Sequence, residues 1–202
     1  YLKFLYIIIF WRTKMGRSKE FDTDKALIQA MELFWSNGYE KTSIQDLLDV
    51  MGIHRKSLYD TFGDKHELYM EAVKRYQQIV ERNIKKQLIQ GSSIKEIIKN
   101  LFYMIIDNER FRKHGCLFVN MAVELSACDD EAKTRSIEHY KNIETLFYEL
   151  LLQGQETGEI GANKDATMLA QYFLNSWTGI RVLGKTLNDR KVFENIIEAT
   201  LS

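Results

Sequence analysis

Two short helical patterns joined by a tight turn occupy residues 42–66 of this 202-residue chain. In the first pattern the apolar residues recur at i, i+3, i+4 and i+7, which places them on one face of a helix: Ile44, Leu47, Leu48 and Met51. Gly52 follows where a left-handed helix end is expected, and Leu58 and Phe62 give the second helix a narrow apolar face. This layout predicts a helix-turn-helix, whose second helix suits the DNA major groove.

The ends of these helices carry capping signals. Ser43 stands three residues before Asp46, and Asp64 stands three residues before Glu67, so both pairs are typical of capping boxes. Lys65 is unusual in the first turn of a helix, because the helix dipole favours negative charge there. A phosphate docked on this helix end would explain the lysine, and the alternative is a solvated side chain with a small local cost.

Residues 22 to about 76 resemble the N-terminal DNA-binding domain of TetR-type bacterial transcriptional regulators. The residues that carry the resemblance are Phe34-Trp35, Gly38-Tyr39, Thr42-Ser43, Gly52, Leu58-Tyr59, Phe62 and Lys65 with Leu68. In that family, DNA contacts come from the start of the second helix, most of the third, and the lysine that opens the fourth. Carried over by position, the resemblance implies these DNA-binding residues: Ser43, Gln45, Arg55, Lys56, Ser57, Tyr59, Thr61 and Lys65.

The recognition helix departs from one common pattern of the family, because many members carry small residues where this chain has Arg55 and Lys56. The operator sequence therefore does not transfer from a relative. Arg55 could read guanine through a bidentate contact, whereas Lys56 suits a phosphate. Tyr59 has a second interpretation as a partly buried core residue.

Composition predicts an all-α fold. The chain has no proline and 11 glycines, which lie mainly at the ends of helical patterns. Lysine and arginine balance aspartate and glutamate at 28 each, so the chain as a whole has no net attraction for nucleic acid. DNA binding would then depend on the local basic cluster and on two copies acting together, which argues against a non-specific coating protein.

The first fourteen residues, YLKFLYIIIFWRTK, contain an apolar run that is too short to span a bilayer and is not followed by a small-residue cleavage site. We expect residues 1–14 to be an upstream extension and residues 15–64 to be the DNA-binding domain, which begins with a short basic arm. The alternative for the extension is an apolar arm that packs on a partner or a membrane surface. Arg17 and Lys19 suit a phosphate or the minor groove, and equally a solvated tail.

Residues 65–202 continue in helical patterns and resemble the ligand-binding and dimerisation domain of the same family. The stretch GCLFVNMAVELSACDDEA is similar to a subgroup in which a Gly-Cys-Leu segment opens the sixth helix. The last two helices, including LAQYFLNSWTGIRVLGK, resemble the pair that builds a four-helix dimer interface, where Ser176 and Gly179 would allow close approach. A homodimer on a palindromic double-stranded operator follows, since one small helix-turn-helix supplies too little affinity.

An apolar effector pocket is expected between the C-terminal helices, because the family resemblance implies one there. We assign to it Phe102, Met104, Cys116, Phe118, Met121, Phe147, Phe173 and Trp177, with Tyr172 beside them. The alternative for each of these residues is ordinary core packing, which gives the same helical spacing. The pattern does not identify the effector.

Cys116 is a candidate sensor of electrophiles or oxidants. The chain has 2 cysteines and no CxxC, so neither a zinc site nor a disulfide framework is indicated. A helix N-terminus with Lys113 and His114 nearby would lower the pKa of this thiol, and some relatives with the Gly-Cys segment sense electrophiles through that cysteine. The alternative is a small buried apolar residue.

Catalytic signals are weak throughout the chain. The four histidines show no metal-ligand spacing, and there is no glycine-rich phosphate loop or nucleophile elbow, so we expect no enzyme, no metal and no cofactor. The chain is predicted to be a cytoplasmic homodimeric transcriptional regulator and a repressor, released from its operator by a small-molecule or electrophile effector. A non-specific DNA-bridging protein and a helical small-molecule enzyme are the alternatives.

Overall fold

The computed structural model describes residues 21–202; the predicted extension at 1–14 and the basic arm with Arg17 and Lys19 lie outside the described residues. The helices are α1 Thr23–Asn37, α2 Ile44–Met51, α3 Arg55–Phe62, α4 Lys65–Gln90, α5 Ile94–Ile106, α6 Glu109–His114, α7 Leu117–Leu125, α8 Asp130–Glu156, α9 Ala166–Leu183 and α10 Arg190–Leu201. The predicted all-α class is confirmed, with an N-terminal helix-turn-helix followed by a helical C-terminal domain.

Helices α1 to α3 form a small domain around an apolar centre. Phe34, Leu47 and Leu58 are fully buried there, and the Phe34 ring meets the edge of Tyr69 from α4 at 4.9 Å. The predicted capping box of α2 is present. Gly52 ends that helix with φ 63° and ψ 34°, the left-handed conformation in which a side chain would be strained.

Helix α4 connects the two halves of the molecule. It begins with the predicted capping box between Asp64 and Glu67 and runs to Gln90, as the apolar pattern indicates. Its first turns pack on α1, with Tyr69 and Val73 buried, while Ile84 near its other end is buried among the C-terminal helices. A rotation of α4 would therefore move the DNA-binding domain relative to the rest of the chain.

Helices α5 to α10 enclose a second core. Phe102, Phe147 and Trp177 pack with ring centroids 5.6–5.7 Å apart. The apolar pattern predicts the last two helices at Ala166 to Lys185 and Lys191 to Leu201. The observed ends agree within two residues, since α9 ends at Leu183 and α10 begins at Arg190. Helix α6 was not expected, because its six residues are too few to show a helical period.

An exposed apolar face lies on the α8–α9 hairpin. The Glu144 carboxylate on α8 accepts a hydrogen bond from the Gln171 amide on α9 at 3.1 Å, so these helices run side by side. Large apolar side chains stand exposed along both helices: Ile137, Tyr148, Leu152, Met168, Tyr172 and Val182. This face lies on α8 and α9, whereas α10, the other helix expected at a dimer interface, exposes no large apolar side chain to this degree.

No helix within residues 21–202 combines the length and the apolar character that crossing a membrane requires. The same part of the chain contains no cluster of three or more histidine, cysteine, aspartate or glutamate side chains arranged to hold a metal ion.

Candidate DNA-binding surface and buried polar cluster

The outer face of α3 is polar and basic. Leu58 is fully buried and fixes the inner face of the helix, which leaves Arg55, Lys56 and Tyr59 exposed. Tyr59 is 44% exposed, so it lies at the surface of the domain with part of its side chain covered. Ser57 and Thr61 are half-buried on the flanks of the same helix. The helix therefore presents a guanidinium, an ammonium and hydroxyl groups together on one side.

The two candidate DNA contacts at the start of α2 are exposed and already take part in local hydrogen bonds. The Ser43 hydroxyl accepts from the Asp46 backbone N–H at 3.1 Å and donates to the Asp46 carboxylate at 2.7 Å. The Gln45 amide donates to Asp49 one turn later at 2.8 Å. The hydrogen bonds of Ser43 lower the pKa of the Asp46 carboxyl. Ser43 thus has a structural role besides the one assigned by resemblance.

Lys65 lies at the start of α4, half-buried, with its ammonium 4.2 Å from the centre of the Tyr39 ring. This cation–π contact holds the side chain beside the turn that precedes α2. It offsets part of the cost of placing a cation at a helix N-terminus.

Besides helix α4, which runs from one domain to the other, several polar contacts join the DNA-binding domain to the C-terminal domain. The Glu124 carboxylate of α7 accepts hydrogen bonds from the backbone N–H groups of Tyr39 and Glu40 at 3.0 Å and 2.8 Å. The buried Trp35 indole N–H donates to the Gly115 carbonyl at 3.1 Å. We call these contacts the α7 junction. They join the turn before α2 to Glu124 of α7, and α1 to Gly115, the residue before Cys116.

A second contact joins the two domains at the start of α8. His66 Nε2 lies 2.7 Å from the Asp129 carboxylate, which also caps α8 by accepting from the Ala132 backbone N–H. The hydrogen bond from Ala132, followed by the contact with His66, holds the pKa of the Asp129 carboxyl below its usual value. The N-terminus of α8 is therefore tied to the first turn of α4.

The eight residues assigned to the effector pocket divide between two places. Phe102, Phe147, Phe173 and Trp177 form one aromatic cluster. Met104 is half-buried on α5. Phe173 also borders a cavity of about 220 Å³ between α5, α9 and the C-terminal residues. Cys116, Phe118 and Met121 are buried on the other side, around α7.

Cys116 lies in a buried polar cluster that the sequence did not reveal. The Arg181 side chain is 1% exposed, and its guanidinium lies 4.1 Å from the centre of the Trp177 ring. Burial alone would raise the pKa of the Cys116 thiol, but the nearby guanidinium and the His139 ring lower it to about 6. Burial also raises the pKa of the Tyr76 hydroxyl, which faces the same thiol. Arg181, Tyr76, His139 and Cys116 form what we call the Arg181 cluster.

Tyr76, His139 and Arg181 were missed because they are far from Cys116 and from one another in the chain. Only Arg181 left a signal, since a charged residue stands within the apolar run of α9. His114 was expected to help activate the thiol. Instead burial and the neighbouring Lys113 lower the pKa of His114, so that group is held neutral.

A second cavity, of about 210 Å³, opens between α4 and α8. Its walls are mainly apolar, with Val80, Ile84 and Ile143 among them, and His139 borders it. The His139 ring stacks on Phe118 at 3.9 Å and lies beside the Cys116 thiol. His139 thus separates this cavity from the Arg181 cluster.

Comparison with known proteins defines the class of protein. Residues 27–72 match the N-terminal domain of bacterial regulatory proteins of the tetR family, and residues 96–200 match a C-terminal domain described as tetracyclin repressor-like. An uncharacterised helix-turn-helix transcriptional regulator of Bacillus subtilis, YezE, is 36% identical over 93% of this chain and 98% of its own length. The transcriptional repressor ComR of Escherichia coli is 35% identical over 79% of this chain and 77% of its own.

A solved structure shows the same arrangement. The TetR-family regulator CifR, as a cysteine mutant in complex with a 26-base-pair operator DNA, superposes with a TM-score of 0.82 at 28% identity, covering 92% of this chain and 98% of CifR. The chain belongs to the TetR family of bacterial regulatory proteins. It is a DNA-binding transcriptional regulator, and its relatives are regulators rather than enzymes.

Proposed function

We propose that α3 enters the major groove of operator DNA, with Arg55 and Tyr59 at the base edges and Lys56 on a phosphate. The exposed basic face of α3 carries this proposal, because Arg55, Lys56 and Tyr59 are exposed there while Leu58 is buried. Flanking contacts are assigned to the remaining residues at the end of the domain: Ser43, Gln45, Ser57, Thr61 and Lys65. Lys65 suits a phosphate, since it is the first residue of α4 and the N-terminus of a helix favours an anion.

The regulator acts as a homodimeric repressor in the cytoplasm and has no catalytic activity of its own. Its exposed α8–α9 face is apolar enough to pair with a second copy, and pairing would present two recognition helices to a palindromic operator. The likeness to the repressor ComR and to CifR in complex with operator DNA supports this function.

A small-molecule or electrophile effector in the C-terminal domain releases the operator. The effector must bind the DNA-free state more tightly than the DNA-bound state, since only differential binding shifts the equilibrium. Helix α4 and the α7 junction offer the mechanical route, because both join the C-terminal core to the DNA-binding domain. Cys116 is the residue with which an electrophile would react.

The test is selection of random double-stranded DNA by the purified protein at fixed salt. We expect a shared palindrome, with half-sites about one helical turn apart or a multiple of it. The variants Arg55→Ala and Tyr59→Ala should lose the motif, whereas Lys74→Ala, which removes an exposed lysine in the third turn of α4, should keep it. Retention of DNA without a motif would indicate the bridging protein instead, and no retention would contradict the proposal.

A further inference from the structure

The cavity between α4 and α8, which we call the α4–α8 cavity, has a volume of about 210 Å³ and lies apart from the aromatic cluster first assigned to the effector. Apolar side chains from both helices line it, and all of them are buried or half-buried: Val80, Ile84 and Leu88 on α4, and Ile143 and Leu146 on α8. They repeat every three or four residues, so each helix turns one continuous apolar stripe towards the cavity.

The polar residues of the lining lie mainly at its edge. The Gln77 amide donates to the Glu81 carboxylate at 2.8 Å, and Glu81 and Lys85 have opposite formal charges one turn apart on the exposed side of α4. Asn142 is exposed on α8, whereas His139 is buried at the inner end. The interior is therefore apolar apart from the His139 ring.

An interior of this kind suits an uncharged ligand. Ordered water needs two or more polar partners, and an apolar cavity of roughly 150 Å³ stays dry and binds benzene. By the same scale the α4–α8 cavity has room for about eight non-hydrogen atoms. A carboxylate or an ammonium group among the apolar side chains would lose its hydration without gaining a partner.

We propose that the α4–α8 cavity binds the effector, and that this effector is a small, uncharged and mainly apolar molecule. This inference rests on the proposed effector response, and it names the site and the chemical class of the effector.

A ligand in this cavity acts directly on α4. The first turn of α4 is tied to the start of α8 by His66 and Asp129, whose side chains lie 2.7 Å apart. Ile84 lies about five turns farther along α4. Separating the helices at Ile84 while the His66–Asp129 contact holds would change the angle of α4, which carries the DNA-binding domain. A cavity that is narrower in the DNA-bound state supplies the differential binding that release requires.

The experiment is a ligand-observed NMR titration of the full chain, without DNA, with three probes that share one ring: benzyl alcohol, benzoate and benzylamine. At pH 7 these probes are neutral, anionic and cationic. We expect benzyl alcohol to bind at least about tenfold more tightly than either ion, because an unpaired charge is costly to bury. Its addition should also shift the methyl resonances of Ile84 and Ile143, which locates the ligand in the unmodified protein.

Leu146→Trp fills the cavity from a half-buried position on α8 and should abolish the binding of benzyl alcohol. Leu169→Trp is the matched control, because it makes the same change at a half-buried position in the other cavity, of about 220 Å³, and should bind as the wild type does.

Equal binding of the three probes, binding that survives in Leu146→Trp, or no binding of benzyl alcohol would each overturn the inference. Methyl resonances of Ile84 and Ile143 that do not move would also overturn it, and this result does not depend on the folding of a variant. The titration is independent of DNA. Failure of the proposed function would show itself separately, as the absence of a selected operator.

Discussion

At the scale of single residues, the Cys116 thiol should titrate far below an ordinary cysteine. Burial opposes ionisation, but Arg181 and His139 outweigh it and bring the thiol pKa to about 6. The thiolate absorbance of the protein should therefore rise around pH 6, and this step should be absent in Cys116→Ser. In Arg181→Met, where the cation is gone, the step should move to higher pH. An unchanged midpoint in Arg181→Met would refute the assigned cause.

The same titration has a consequence for stability. Because the folded pKa lies below the unfolded value, the thiolate contributes stability that is fully present above the unfolded pKa and is lost as pH falls towards 6. Between pH 6 and pH 9 the wild type should gain stability relative to Cys116→Ser, by up to about 1.4 kcal/mol per pH unit. Denaturant unfolding of both proteins across this range measures the difference. If the free energy of unfolding changes equally with pH in the two proteins, the Cys116 thiol is not ionised in the folded protein over this range.

At pH 6, Arg181 itself should contribute little to folding. Replacing a buried charged pair with uncharged side chains of similar size is often neutral or stabilising. Arg181→Met should therefore keep or raise the melting temperature at pH 6, where the thiol readily takes up a proton. A large fall in the melting temperature of Arg181→Met would indicate that the guanidinium has a structural role instead.

At the scale of helices, local signals in the sequence were sufficient to predict the DNA-binding domain. The capping residues Ser43 and Asp64, the glycine at 52 and the apolar spacing of α2 act within a few positions of one another, so their effects are readable from the chain. Helix α6 was missed because six residues show no period. The Arg181 cluster was missed because its members meet only through the packing of α4, α7, α8 and α9.

Removing the capping box of α2 should lower the stability of the protein measurably. Ser43→Ala deletes the hydroxyl that accepts from the Asp46 N–H, and it should lower the free energy of unfolding by about 1 kcal/mol. Ser36→Ala, which removes an exposed hydroxyl near the end of α1, is the control and should have little effect. Since Ser43 is also a proposed DNA contact, operator affinity of the variant must be measured at a temperature where it remains folded. Equal stability of the two variants would contradict the capping role.

At the scale of the whole molecule, the sequence did not show how the two domains are joined. Glu124 is 84 or more positions from the backbone groups that it binds, and Trp35 is 80 positions from Gly115. Such contacts depend on the folded chain and leave no local pattern. These contacts matter for function because they join the C-terminal domain to the helix-turn-helix. A conformational change in one domain can therefore alter the position of the other.

The α8–α9 face gives the last test, because its apolar residues should pair two copies of the chain. Met168 and Tyr172 are 69% and 47% exposed one turn apart on α9, and a Cβ on Gly179 would meet nothing within 4 Å in a single chain. The double variant Met168→Glu with Tyr172→Glu should place four like charges in the interface and shift the protein to monomers in sedimentation experiments.

Operator affinity of the double variant should fall because dimerisation is lost, and a monomer binds with only one recognition helix. Val123→Glu is the control, because Val123 is 85% exposed on α7, outside this face. Introducing a charge there leaves the α8–α9 face intact, so the control should remain dimeric and bind operator DNA with unchanged affinity. A double variant that still sediments as a dimer would place the interface elsewhere on the molecule, and the spacing of the two recognition helices would then have to follow from that other surface.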